Sequence, residues 1–339
     1  MNRVIFGLLL FVAACTGPNT TQNTSLNVID VAGSLNSDRV VNISEIADTV
    51  EYIPLETMDE SLVGKLKNNN IFFERGLFYL ILESGEIALF NYNGLYIRRF
   101  DKLGRGPGEY TQIADVDVDY STGNIMIRNN SIINEYCTKG GLIRSIQIPS
   151  NGELSDMLFF DFKKLSGFYV LESYIYSYTV NSGIVIDTSS NLIMKIKSPG
   201  EELDYISTFN PKQLPVHVGT KLFKHKDKVR IINGNNKYIL SINNDLTIDT
   251  AYVINYGKLS PHSQPGKLLR AESPFLWRSF DVFESDNYLF MTFHVGSLVK
   301  NPSLLKNAYD NDYVYHHSPS LFNKVTGELT LLLQPEDYK

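Results

Sequence analysis

The sequence is poor in cysteine and tryptophan, with two of the former and one of the latter among 339 residues. Its N-terminal apolar run, Val4–Val12, is too short to span a bilayer as a helix, which needs about 20 apolar residues. If Cys15 is modified, Cys137 has no partner for an intrachain disulfide. The fold must therefore rely on its own core, which a 43% hydrophobic composition can supply.

The first fifteen residues have the organisation of a secretory signal. Arg3 precedes the apolar run, and the small residues Ala13 and Ala14 end it before Cys15. The stretch from Val12 to Cys15 resembles a bacterial lipobox, which implies cleavage before Cys15 and lipidation of its sulfur. The alternative is an ordinary signal with a chance cysteine. We expect a lipoprotein signal peptide at 1–14, the lipidated cysteine with a flexible tether at 15–38, and a folded domain at 39–339.

The charge balance bears on partners and location. Removing Arg3 with the signal leaves 30 basic against 37 acidic residues, a net charge of −7 that argues against nucleic acid as a partner. The residue directly after Cys15 is Thr16 and not an aspartate, and residues 16–22 contain no acidic side chain. We therefore expect an outer-membrane lipoprotein that faces the periplasm and is held on the membrane by the lipid on Cys15.

Sustained helical periodicity is also scarce, whereas short alternating strands are frequent and are separated by Asn, Asp, Ser and Gly. Aligning the turns gives five repeats of strand, strand, polar turn and strand, about 50 residues apart except before the last. This period is typical of a four-stranded propeller blade, and a solenoid is the competing architecture. The repeats are Leu77–Phe100, Asn124–Ile148, Gly167–Ile196, Lys228–Ile254, and Asn287–Val295 with Tyr313–Leu333.

Several segments resemble the six-bladed β-propeller lipoproteins of Bacteroides-type bacteria, an NHL-like family. They are "VEYIPLET" at 50–57 with "SLVGK" at 61–65, the stretch Asn91–Asp119, "SDNYLFMTF" at 285–293 and "LFNKVTGEL" at 321–329. The resemblance implies an all-β, six-bladed-type propeller of four-stranded antiparallel blades. Five repeats are visible, so either the last blade is abbreviated or this is a shortened version of the family. We expect Thr49–Thr57, which has no hairpin partner, to close the ring as a strand of the last blade.

The conspicuous loop "LGRGPGEY", Leu103 to Tyr110, contains three glycines and a proline. It lacks the lysine of a Walker loop and the spacing of a dinucleotide fingerprint, and an alternating strand follows it rather than a helix. We interpret it as a stiff connection between blades that could present Arg105, Glu109 and Tyr110 to a ligand. An internal clamp between Arg105 and a carboxylate is the alternative.

Three aspartates alternate along the following strand, at Asp115, Asp117 and Asp119. Their spacing begins like a calcium loop, but Tyr120 and Met126 stand where an EF-hand needs glycine and glutamate. A polar strand face is the simpler interpretation, and Asp115 is kept as a candidate ligand residue. The sequence predicts no metal site and no cofactor.

The remaining candidate is Trp277 beside Arg278, which would suit contact with a sugar or peptide, whereas a buried tryptophan is the plain alternative. No nucleophile elbow or marked carboxylate dyad is present. The sequence therefore favours a binding or scaffold protein that captures glycan or peptide, as an accessory to an outer-membrane uptake complex. The alternatives are a lyase or hydrolase acting at the mouth of the propeller channel, and a shortened paralogue without a ligand.

Overall fold

A computed structural model describes residues 27–37, 39, 41–155, 157–175, 181–197, 221–232, 237–260, 276–295, 298 and 317–332. This part of the chain begins with strand β1, Asn27–Asp30, and the single-turn helix α1, Val31–Ser34. Three 3-10 turns lie at Ile43–Glu45, Gly152–Leu154 and Gly257–Leu259. No helix within these ranges is long and apolar enough to cross a membrane.

The remaining strands form five sheets, each of four consecutive antiparallel strands. Blade 1 contains β2 (Leu66–Glu74), β3 (Leu77–Leu82), β4 (Ile87–Asn91) and β5 (Tyr96–Phe100). Blade 2 contains β6 (Asp115–Val118), β7 (Ile125–Asn129), β8 (Ile132–Tyr136) and β9 (Leu142–Gln147). Blade 3 contains β10 (Met157–Leu165), β11 (Phe168–Ile175), β12 (Asn181–Asp187) and β13 (Leu192–Lys197).

Blade 4 contains β14 (Lys221–His225), β15 (Lys228–Ile232), β16 (Tyr238–Ile242) and β17 (Ile248–Asn255). Blade 5 contains β18 (Trp277–Glu284), β19 (Tyr288–His294), β20 (His317–Asn323) and β21 (Leu329–Leu331). The first strands of blades 2 to 5 contact one another in succession, as inner strands around a propeller axis do.

This architecture confirms the all-β propeller of four-stranded antiparallel blades, and the five repeats coincide with the second to fourth strands of the five blades. The six-bladed expectation is corrected, because the described residues form five blades. Six came from the resemblance, whereas five is the number of repeats that the sequence itself displays. Each repeat supplies one sheet, so the number of repeats sets the number of blades.

Apolar side chains pack between neighbouring blades. One cluster joins blades 1 and 2 around Tyr79, Tyr110 and Tyr136, and others join blades 2 and 3, 3 and 4, and 4 and 5. Successive side chains of a strand point to opposite faces of its sheet, so blades 2, 3 and 4 bury both faces against neighbouring blades. The second face of blade 1 packs against Leu55 and Val63 of the segment that precedes it. This explains why β4 and β7 are almost wholly buried although they are only five residues long.

The expected closing strand is not formed. Residues 49–57 contain no strand; Glu56 instead binds the β4–β5 turn, donating its amide to Gly94 O and accepting from Tyr96 N. Gly94 has a φ of 81°, and a Cβ there would lie 2.1 Å from Pro54 O. The chain therefore crosses close over the turn instead of pairing along an edge, and Pro54 has no amide to offer a ladder.

Strand β1 is the N-terminal strand that joins the propeller instead. It pairs in parallel with β17 at the outer edge of blade 4, so packing against the blades begins at Asn27, inside the range assigned to the tether. The chain then crosses blade 5, where Ser34 Oγ donates to Leu329 O and Arg39 pairs with Glu328 at 2.9 Å. Residues 27–57 thus connect blades 4, 5 and 1.

Candidate functional site

The described blades enclose a recess of about 250 Å³ near the channel axis. Residues 119–121, 164–166 and 226–228 line it, together with Lys224 and Asn244. The three stretches belong to the turns between the first and second strands of blades 2, 3 and 4, which places the recess at one end of the inner strands. We name this feature the channel-mouth recess.

Tight hairpins bring these side chains to the mouth. Ser166 and Lys226 both have a positive φ, 52° and 56°, in the two-residue turns β10–β11 and β14–β15. Such left-handed residues match a two-residue hairpin to the twist of its strands. The turns therefore project directly from the ends of the inner strands and hold their polar side chains around the axis.

A buried ionic cluster forms the floor on the side of blades 2 and 3. Lys164 Nζ lies 2.8 Å from Asp119 Oδ2 and 2.7 Å from Glu135 Oε1. Glu135 also accepts from Tyr169 Oη at 2.9 Å and from Arg144 Nε at 3.1 Å. Burial raises the pKa of Glu135, but the hydrogen bonds from Lys164, Asn124 and Tyr169 and the charge of Lys164 together lower it by more. The net direction is downward, so Glu135 is a charged, fully engaged carboxylate.

Lys224 is likewise paired with a buried carboxylate beneath the recess. Its ammonium binds Asp117 Oδ2 and donates to Val118 O at 3.2 Å. Asp117 is buried and also accepts the backbone amide of Lys164 at 2.7 Å. The recess floor is therefore built from charges that satisfy one another within the protein.

Aspartates of the inner strands accept hydrogen bonds from backbone amides of the next blade. Asp115 Oδ2 accepts from Phe162 N at 2.9 Å, and Asp161 Oδ2 accepts from Leu222 N at 3.1 Å, as Asp117 does from Lys164 N. The first strand of each blade is a sheet edge whose outward amides need acceptors. The polar strand face predicted for the three alternating aspartates thus joins one blade to the next.

Asp115, a predicted ligand residue, lies in this network. Burial raises its pKa to about 7, with Lys163 opposing the shift and Asp161 adding to it. Burial raises the pKa of Asp161, but the Lys163 ammonium at 2.6 Å, the charge of Lys221 and a hydrogen bond with Asp115 together lower it by more. The two carboxyls and the lysine therefore form one coupled unit between blades 2 and 3.

The glycine-rich loop lies at the other end of β6 from the recess. Arg105 is exposed, and Glu109 Oε2 accepts from Gly106 N at 2.7 Å, so the carboxylate fastens the loop's own backbone. Tyr110 is fully buried and its hydroxyl donates to Gly85 O of blade 1 at 2.9 Å. The loop is thus a rigid connection between blades 1 and 2.

Two glycines of this loop serve different purposes. Gly108 has a φ of 73°, and Tyr136 Oη donates to its carbonyl at 2.8 Å. At Gly104, a Cβ would lie 1.9 Å from Glu109 Oε2. The glycines therefore serve a left-handed turn and a close side-chain approach rather than a phosphate cradle.

The structure does not bring all the predicted site residues together. Asp115 lies beneath the recess, and Arg105, Glu109 and Tyr110 lie beyond it. Trp277 and Arg278 begin β18, but their side chains are outside the described part of the structure, as is Cys15. Ligand binding by these residues and lipidation of Cys15 stay predictions.

Sequence reasoning missed the residues that line the recess. The available signal was "KHKDK", Lys224 to Lys228, which places three lysines in five residues at a turn between two strands. Tyr120, at the end of the aspartate strand, is 52% exposed and stands at the rim. Within the described ranges, no group of three or more His, Cys, Asp or Glu is arranged to hold a metal.

Comparison with known proteins gives a family and a fold. The family model described as a domain of unknown function, DUF4934, matches residues 26–337. No curated protein matches the chain.

Many solved structures resemble it, including two from Bacteroides species. One is a protein of Bacteroides fragilis NCTC 9343 whose name marks it as inferred to be exported, with a TM-score of 0.61, 14% identity, and coverage of 91% of this chain and 80% of that one. The other is a member of the DUF4221 family from Bacteroides vulgatus ATCC 8482, with a TM-score of 0.50, 14% identity, and coverage of 82% and 83%. At this identity the likeness shows the fold alone.

Proposed function

The chain belongs to the DUF4934 family, and from that premise we propose that it is an extracytoplasmic, lipid-anchored β-propeller that binds a glycan at the channel-mouth recess. The observation that carries the proposal is the recess itself. Three blades supply polar side chains around one small concavity, and the exposed ring of Tyr120 stands at its rim. An aromatic ring beside hydroxyl, amide and charged groups suits a sugar, which has both apolar C–H faces and many hydroxyls.

A glycan fits this recess better than a peptide does. Peptides are commonly recognised by addition to an open strand edge or by insertion of apolar anchors into a groove. The channel-mouth recess is lined mainly by Lys, Asp, Ser and Asn, with Leu165 as its aliphatic member. Ser121 and Asn244 add hydroxyl and amide groups that can exchange hydrogen bonds with sugar hydroxyls.

Binding is favoured over catalysis by the state of the carboxylates. Asp119 accepts from Ser121 and pairs with Lys164, and Asp227 accepts from Asn244 at 3.3 Å. A general base must be able to reach a substrate proton, whereas both carboxylates that line the recess already hold donors from the protein. The lyase or hydrolase alternative therefore gains no support from this site.

The membrane anchor and location form the second part of the proposal. The lipobox-like end of the signal and the inferred export of the B. fragilis protein support a place outside the cytoplasm. Eleven residues separate Cys15 from Asn27, so the tether can extend about 40 Å at most. A propeller held this near the periplasmic face of the outer membrane could deliver a captured glycan to an uptake complex.

The binding proposal is tested with the mature chain carrying Cys15→Ser, screened against immobilised neutral and anionic oligosaccharides and then titrated by calorimetry. Tyr120→Ala should weaken the best ligand about tenfold, because about 1.4 kcal/mol of ring contact is lost. Tyr92→Ala, which removes another exposed tyrosine in the β4–β5 turn, is the matched control and should bind normally. Equal affinity in both variants would reject the recess as the site.

The anchor is tested separately in cells. Wild-type chain should incorporate labelled fatty acid and sediment with outer membranes, whereas Cys15→Ser should do neither. Label retained in the Cys15→Ser variant would contradict lipidation at this residue.

A further inference from the structure

The charges around the channel-mouth recess differ in how far they are satisfied within the protein. Asp119 accepts from Ser121 N at 2.8 Å and Ser121 Oγ at 2.6 Å, and its other oxygen pairs with Lys164. Asp227 accepts from Asn244 Nδ2. Asp119 is therefore paired with a cation, whereas Asp227 keeps its negative charge and accepts one hydrogen bond from a neutral amide. Four lysines against two carboxylates nevertheless line the recess.

The four lysines divide into two kinds. Lys164 and Lys224 are held by the carboxylates beneath them, as described above. Lys226 lies 2.9 Å from Asp286, but the side chains are 62% and 69% exposed. A solvent-exposed ion pair is weak and is readily replaced by a competing anion.

Lys228 is the fourth lysine, and no ion pair to it is formed within the described ranges. Its charge contributes to lowering the pKa of Asp245, whose carboxylate is occupied by the amide and hydroxyl of Thr247 at 3.0 and 2.6 Å. The β14–β15 hairpin places Lys226 and Lys228 on either side of Asp227, so its net charge at the rim of the recess is positive.

We propose that the channel-mouth recess selects glycans that carry an anionic group, with Lys226 and Lys228 as the residues that bind it. This inference rests on the proposed function and names the class of glycan. A lysine ammonium lies on a long flexible stem and acts as a point charge. It can therefore bind either a uronic-acid carboxylate or a sulfate ester. The whole chain is acidic, with a net charge of −6, so this cationic rim is a local departure from its overall charge.

The test uses three oligosaccharides of equal length: a neutral galactan, an oligogalacturonate carrying carboxylates, and a sulfated heparin fragment. The mature chain should bind at least one anionic probe more tightly than the neutral one. Lys226→Gln combined with Lys228→Gln should weaken that binding at least tenfold, and raising the NaCl concentration should weaken the wild type but not the variant. The preferred probe distinguishes carboxylate from sulfate as the recognised group.

A matched double variant, Lys102→Gln with Lys139→Gln, removes two exposed lysines outside the recess and should bind like the wild type. The charge inference is overturned if neutral and anionic probes bind equally. It is also overturned if the Lys226→Gln and Lys228→Gln variant, with an unchanged melting temperature, binds the anionic probe as tightly as the wild type. Either result leaves the proposed function standing. Binding of none of the three probes, nor of any oligosaccharide in the wider screen, overturns both.

Discussion

The glycine-rich loop at 103–110 and the channel-mouth recess lie at opposite ends of the same inner strand and contrast in every respect. The loop is conspicuous in the sequence, and the structure shows that Glu109, Tyr110 and its glycines fix it between blades 1 and 2. The recess is formed by short hairpins from three blades that share no motif. The difference teaches that a strong local pattern here records a backbone requirement, whereas the candidate site depends on residues distant in sequence.

The largest effect on stability is expected from Glu135, in the floor of the recess. Glu135→Ala removes a buried carboxylate and leaves Lys164, Tyr169 and Arg144 without it. Loss of one partner from a buried ionic cluster should lower the free energy of unfolding by about 3–5 kcal/mol. Urea denaturation of wild type and variant measures it.

The control for that variant is Glu83→Ala, which removes one member of the exposed Lys65–Glu83 pair. An exposed pair contributes about 0–1 kcal/mol, so this variant should be nearly as stable as the wild type. If the two variants lost the same stability, the recess floor would not be the cooperative unit described here.

The second effect on stability concerns the backbone conformation of the loop at 103–110. Gly108→Ala forces a side chain onto a φ of 73° and against Leu142, and should cost about 1–2 kcal/mol. Gly64→Ala is the control, because a Cβ there meets nothing within 4 Å. Thermal unfolding distinguishes them, and glycan binding by folded Gly108→Ala should remain normal. Reduced affinity in the folded variant would mean that the loop also contributes to the site.

A slightly smaller effect is expected from Tyr110→Phe, which keeps the buried ring and removes only its hydroxyl. The carbonyl of Gly85 then loses its donor, at a cost of about 1 kcal/mol. Chemical denaturation should show this loss with the denaturant m-value unchanged. A neutral substitution would show that the hydroxyl does not fasten the loop to blade 1.

The smallest effect concerns Glu74, at the end of β2. Burial raises its pKa, the charges of Asp117 and Asp119 add to the shift, and Lys224 opposes it. Since the folded chain holds this proton more tightly than the unfolded chain, ionised Glu74 destabilises the fold at neutral pH. Stability should therefore fall as the pH rises from the unfolded pKa through the folded one.

Glu74→Gln removes that charge and should raise the free energy of unfolding at pH 8 by no more than about 0.5 kcal/mol, since the group is half-exposed. Thermal unfolding should show this as a slightly higher melting temperature. The difference should vanish near pH 4, where both forms are neutral. A constant difference across this range would indicate a packing effect instead of a titration.

Much of the fold could be predicted because its signals are local. Alternating strands such as Asp115–Val118 and the spacing of the turns predicted four-stranded blades, and all five repeats were recognised. The six-bladed expectation was wrong because it came from the resemblance, and the closing strand at Thr49–Thr57 was wrong because a strand pattern does not identify its partner. Glu56 binds the β4–β5 turn instead, and β1 takes the outer edge of blade 4.

The strand periodicity, the number of repeats and the rigidity of the loop at 103–110 can be derived from the linear chain, since each depends on neighbouring residues and their backbone preferences. The position of the channel-mouth recess and the charges that stay available there depend instead on how the blades pack. Asp119, Lys164 and Lys228 come from three different blades. That Asp119 pairs with Lys164 and not with Lys228 depends on distances of a few ångströms that strand twist and blade packing set. Electrostatic partners are chosen by position in space, and a linear pattern does not contain that position.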